Sequence, residues 1–143
     1  MKEILDQESR NALVSYRLER AYKSLEEALY LSEGGYYNAA VNRLYYACYY
    51  AAVALLLKNG ISAQTHSGVK TMLGLHFVSK GKLPISTSNT FATLFEKRHS
   101  GDYDDFIYCD QKMVDTLYPE AKTFIDQVKE LIENTEDNSK QDI

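Results

Sequence analysis

Between Tyr36 and Leu57 the chain carries an apolar run that leaves no side free for water. Ala39, Ala40, Val41, Leu44, Tyr45, Ala47, Cys48, Ala51, Ala52, Val53 and Leu55 to Leu57 cover almost every face of a helix. A helix apolar all round must be surrounded by neighbours rather than laid against one of them. Its alanines let those neighbours approach closely, and Asn59-Gly60 marks its end. Six of the twelve tyrosines fall here: Tyr36, Tyr37, Tyr45, Tyr46, Tyr49 and Tyr50. Such rings fill a core while their hydroxyls reach a polar edge or a neighbouring subunit. The alternative is a base-stacking pocket, which needs basic groups nearby.

The rest of the chain supplies the enclosing helices. From Gln7 to Leu31, Val14, Leu18, Ala21, Leu25 and Ala28 recur at helical spacing, with Arg17, Arg20, Lys23, Glu26 and Glu27 on the opposite side. Gly34-Gly35 ends that helix. The spacing of Val69, Leu73 and Phe77 predicts a third helix from about His66 to Ser79, starting near Thr65 and stopping by Gly81. Pro84 separates it from a fourth, capped among Ser86 to Asn89 and carrying Phe91, Leu94, Phe95 and Arg98. Gly101 to Asp105 reads as a loop, of which part could be a helical turn. A last helix starts near Asp110 with Met113, Leu117, Phe124, Val128 and Leu131 facing inward, and Pro119 predicts a kink or break near Asp115 to Tyr118. The expected fold is therefore all-α: an antiparallel bundle of about five helices over residues 1–133, with an enclosed, tyrosine-rich second helix and a polar, fraying tail over 134–143.

A chain of 143 residues fits one domain. No apolar run approaches the roughly 18 residues of a membrane span, and no secretory signal is visible. Cys48 and Cys109 are too few and too far apart for a disulfide framework, so a cytoplasmic location is expected. A net charge of −4 argues against broad, charge-driven binding to nucleic acid and leaves only a local positive cleft. His66 and His76 are too far apart on one helix to share a metal, and Asp102, Asp104 and Asp105 lack the spacing of a calcium loop. Neither a metal nor a cofactor is expected.

Three places remain where chemistry is conceivable. Arg43 interrupts the apolar helix and needs a partner for its guanidinium. Asp102, Asp104 and Asp105 are candidates, as is a ligand phosphate, whereas Asn42 points about 100° away around the helix. His66 and Lys70, four residues apart, share a face at a helix start where an anion could be held. The plainer reading has His66 helping to cap that helix and Lys70 solvated. Finally, Arg98-His99-Ser100-Gly101-Asp102-Tyr103-Asp104-Asp105 gathers an arginine, a histidine, a tyrosine and three carboxylates at one helix exit.

Ala40-Val-Asn-Arg-Leu-Tyr-Tyr-Ala47, Thr65-His-Ser-Gly-Val69 with Phe77-Val78, and the Arg98 to Asp105 segment together resemble the HEPN domain family, in its compact prokaryotic branch. The resemblance spans roughly Ala12 to Ile132. It implies a bundle of about five helices, often a homodimer, with a cleft near the end of the fourth helix. It also implies nucleotidyltransferase-like protein partners, as in toxin–antitoxin pairs. Some members are metal-independent endoribonucleases bearing an Arg, four to six residues, then a His. Here Arg98 matches the arginine, but the next histidine is the adjacent His99, and Tyr103 stands five beyond. A phenol with an ordinary pKa near 10 is a poor base at neutral pH. The first expectation is thus a HEPN-like binding or interaction protein that engages a nucleotide, RNA or a partner through Arg43, His66, Lys70, Arg98 and Tyr103, with Arg43, Asp102 and Asp105 as a polar network. The alternatives are a ribonuclease using Arg98, Tyr103 and His99 or His66, and a purely structural oligomeric bundle.

Overall fold

The enclosure that the second helix requires is provided by four others. The computed structural model describes residues 6–103 and 108–135, with side chains outside 99–103. Over these residues the order is α1 (Gln7–Glu33), α2 (Tyr37–Lys58), α3 (His66–Leu73) running on into a π-helical turn (Gly74–Val78), α4 (Ile85–Tyr103) and α5 (Gln111–Glu133). No strand occurs among the described residues, and the all-α expectation holds. α2 packs most extensively on α1 and also touches α3, α4 and α5. Leu44, Tyr45, Ala47, Cys48, Ala51, Ala52, Ala54 and Leu55 are all fully buried. By length and composition α2 would be long enough to cross a bilayer, which the sequence reading had not allowed for. Its apolar faces are taken up by the other helices instead.

Side-chain caps set where three helices begin. Asp6, Thr65 and Asp110 each accept a hydrogen bond from the backbone N–H three residues on, at Ser9 (2.7 Å), Gly68 (2.8 Å) and Met113 (2.9 Å). The chain leaves α2 through Asn59 and Gly60, whose φ of 68° only glycine adopts without strain. Between helices, the Phe91 and Phe124 rings stack at 5.9 Å and join α4 to α5. The Tyr22 hydroxyl donates to Asp126 at 2.7 Å and joins α1 to α5. Both cysteines are free and buried, and burial pushes the Cys48 thiol far above its ordinary pKa, in keeping with an inert core residue.

The structure departs from the sequence expectations at several places. α4 begins at Ile85, ahead of the caps expected among Ser86 to Asn89, because the Pro84 carbonyl already accepts the Thr87 N–H at 3.0 Å. The third helix does not run uniformly to Ser79: it widens at Gly74–Val78, where the Ser79 N–H reaches back five residues to the Gly74 carbonyl at 2.9 Å. α4 continues through Tyr103, so the first part of the expected loop is helical, the alternative the sequence also allowed. Asp104 and Asp105 lie outside the described residues. Pro119 does not break α5, which is one helix from Gln111 to Glu133. Asp115 and Pro119 are both exposed, so water can satisfy the carbonyl that proline leaves without a donor. The tail expected from 134 lies outside the described residues beyond Thr135.

Because Pro119 sits on the exposed side of a continuous helix, Pro119→Ala restores one backbone hydrogen bond without disturbing the core. It is expected to raise stability by about 1–3 kcal/mol, measured by urea denaturation with an unchanged slope.

Candidate functional site

Tyr45 links the core to the surface where α2, α3 and α4 meet. Its ring is fully buried and lies within 6.0 Å, centroid to centroid, of the Phe91 and Phe95 rings on α4. A phenolic hydroxyl taken this deep needs a hydrogen-bond partner. It has one in His66: Tyr45 Oη and His66 Nδ1 are 2.6 Å apart. Burial raises the Tyr45 pKa well above its ordinary 10.0, against a smaller opposite pull from Arg98, so the phenol stays protonated.

Local sequence explains how His66 reaches that position. Thr65 Oγ1, not His66, caps α3, which places His66 at the first helical residue. Gly68 makes the tight cap possible, since a Cβ there would lie 3.0 Å from Thr65 Oγ1. Val69, fully buried, anchors the turn to the core. The imidazole is then held between rings: Tyr49 stacks on it at 4.4 Å with planes 20° apart, and Tyr46 meets it edge-on at 6.0 Å.

Arg98 comes to the same ring from α4. Its Cζ lies 5.1 Å from the Tyr45 centroid and 5.7 Å from that of Phe95, one turn earlier on the same helix. Cation–π contacts of this kind contribute about 0.5–2 kcal/mol, more as water is excluded. Lys70 is exposed and brings its Nζ to 5.9 Å from Phe95. Partial burial, and after it the Arg98 charge, hold the His66 pKa below its ordinary 6.5, so the imidazole is neutral at pH 7. If the phenol donates to Nδ1, the imidazole proton sits on Nε2 and can bind an anion. If Nδ1–H donates to the phenol oxygen, Nε2 keeps a lone pair that can take a proton. A fixed cation, a neutral imidazole and a protonated phenol suit phosphate binding and proton transfer alike.

Arg43 stands to one side of this corner. Its guanidinium pairs with Glu27 of α1 at 3.6 Å, reaches Asn42 Oδ1 at 3.4 Å and lies 5.0 Å from the Tyr46 centroid. The Asn42 contact arises although the two residues leave the helix about 100° apart. Glu27 had not been assigned to it. The expected partner Asp105 lies outside the described residues, as do the side chains of Asp102, His99 and Tyr103. His66, Lys70 and Arg98 thus lie at one corner, His66 and Arg98 against the Tyr45 ring and Lys70 and Arg98 against Phe95; Tyr45 was not singled out from the six tyrosines by the sequence. The available signal was spacing: Tyr45 is one turn from Tyr49 and lies about 200° around α2 from Arg43.

Comparison with known proteins follows the same outline. The HEPN domain matches residues 14–131. A "UPF0332 protein" of Thermotoga maritima is 34% identical over 122 residues, 85% of this chain and 92% of that one. "Putative toxin MJ0605" of Methanocaldococcus jannaschii is 30% identical over 132 residues, 92% of this chain and 97% of its own. A second relative from that organism, "Putative toxin MJ0142", is 30% identical over 80% of this chain and 78% of its own. Among solved structures, ST0689, an archaeal HEPN homologue, superposes with a TM-score of 0.68 over 83% of this chain and 97% of its own, at 24% identity, which speaks to the fold.

Two measurements check the geometry. With the Arg98 charge removed in Arg98→Gln, the His66 titration followed by NMR is expected to move upward towards 6.5. The sign for stability follows from the depressed folded value: the contribution of neutral His66 is complete above about pH 6.5 and is lost as pH falls through the lower folded pKa. Tyr45→Phe removes the hydroxyl from His66 and is expected to cost about 1 kcal/mol of stability, whereas Arg98→Gln is expected to flatten that acid-side loss, both read from denaturation curves at pH 5 and pH 8.

Proposed function

The chain belongs to the HEPN domain family, and from that premise we propose that it binds the phosphate of a nucleotide or RNA at the corner formed by α2, α3 and α4. The observation that carries this reading is the approach of Arg98 and His66 to a single buried ring, Tyr45, from two different helices. Lys70 adds a second, mobile positive charge at the rim. Guanidinium and imidazole N–H groups are strong partners for phosphate oxygens, and their supporting ring cannot move without disturbing the core. The two buried, reduced cysteines agree with a cytoplasmic setting. A homodimer and a nucleotidyltransferase-like partner belong to the same reading, and light scattering and co-purification test them.

One observation favours a second reading, metal-independent RNA cleavage. His66 is neutral beside a fixed cation, which is the state a general base needs. It could take the proton of a ribose 2′-hydroxyl while Arg98 holds the charge that builds on the phosphate. The toxin names of two relatives agree with this reading. His99 and Tyr103 remain the nearby sequence positions that could protonate the leaving oxygen.

Purified chain mixed with labelled RNA in excess chelator separates the two. Arg98→Ala is expected to weaken RNA binding roughly ten- to a hundredfold, and unchanged affinity would sink the phosphate site. Cleavage that survives chelator and disappears in both Arg98→Ala and His66→Ala supports the enzyme. Intact RNA with the wild-type chain leaves binding as the function.

A further inference from the structure

A groove of about 510 Å³ lies between α1 and α2, beside the corner of α2, α3 and α4. Tyr16, Arg17 and Arg20 line it from α1, Tyr49 and Tyr50 from α2, and Ile61 from the connection to α3. Among the described residues no carboxylate lines it. Glu19 and Glu26 instead share the neighbouring groove with Arg20. Among the described residues neither Arg17 nor Arg20 forms an ion pair. Arg20 lies over the Tyr50 ring at 5.3 Å. Tyr16 leaves 58% of its surface to solvent, an open ring face beside two cations.

Tyr49 makes this groove continuous with the corner already described. It is a lining residue, and its ring is the one stacked on His66. Building on the RNA-directed reading above, we infer that the α1–α2 groove is the approach for a single-stranded RNA segment, with a base stacked on Tyr16, phosphates on Arg17 and Arg20, and the strand passing Tyr49 towards His66 and Arg98.

The chemistry selects this occupant over others. A chain of net charge −4 repels nucleic acid at long range, so binding has to come from a local patch of cations. Sites for single strands combine such cations with open aromatic faces, on which unpaired bases stack. A duplex hides those base faces. A second copy of this chain fits poorly, because a twofold contact centred here would set each pair of guanidiniums against its equivalent.

The test uses the whole chain and a fluorescein-labelled 12-nucleotide oligouridine, with anisotropy read at several salt concentrations and mass by light scattering. Tyr16→Ala is expected to weaken binding roughly five- to a hundredfold. Arg17→Gln with Arg20→Gln is expected to lower the log–log salt slope by about 1.4, from about 0.7 for each phosphate of a single strand. Both substitutions are of surface residues, and an unchanged thermal melt confirms folding. Normal binding by these variants, alongside weakened binding by Arg98→Ala, overturns the groove and keeps the phosphate corner. Weakened binding by the groove variants with none in Arg98→Ala supports the groove and removes the corner. Absence of binding by the wild-type chain overturns both. Equal competition by duplex RNA, or a change of mass in either variant, also overturns the inference, the latter by assigning the groove to a second copy.

Discussion

A helix apolar on every side cannot be left facing water, and the rest of this structure follows from enclosing α2. Four helices surround it, and interior packing is dense enough that each contact constrains the next. Tyr45 shows how this reaches the surface. Its ring must be buried with its neighbours, yet its hydroxyl cannot be buried alone. The only way to meet both demands is to place the ring in the core and the oxygen at an edge where a partner waits. His66 is that partner, so the same residue that fills the core also locates the start of α3.

Once Tyr45 is set, the charged groups near it acquire distinct roles. Arg98 and His66 rest on the same ring and can act together on one phosphate. Arg43, two residues before Tyr45, is drawn the other way by Glu27 and becomes a tie between α1 and α2. Arg17 lines the α1–α2 groove, and Arg20 stands on the ridge between it and the adjacent groove that holds Glu19 and Glu26. A chain that is acidic as a whole can in this way hold a basic, aromatic strip along one side of its central helix. The strip and the corner share Tyr49, which makes them one surface rather than two.

Local signals were readable where local physics decides. Asp6, Thr65 and Asp110 cap the helices that follow them, because a short polar side chain bonds the backbone three residues on whatever the tertiary context. Pro119 does not break α5. Its cost depends on whether the orphaned carbonyl meets water or core, and that depends on which side of α5 is exposed. The π-helical turn after Leu73 was invisible for a similar reason: its pattern of inward residues is close to that of an ordinary helix.

By itself the sequence determined that α2 would be central, that the chain would be all-helical, and that His66, Lys70 and Arg98 were worth following. Periodicity and composition suffice for that, since burial of an apolar surface is demanded wherever the helix goes. Only the tertiary structure decided which of the six clustered tyrosines would join His66 to Arg98, and that Arg43 would find Glu27. Those pairings connect residues on different helices, and their distances depend on how the helices are rotated against one another. Rotation is set by the fit of many side chains at once, which no single segment of the chain encodes.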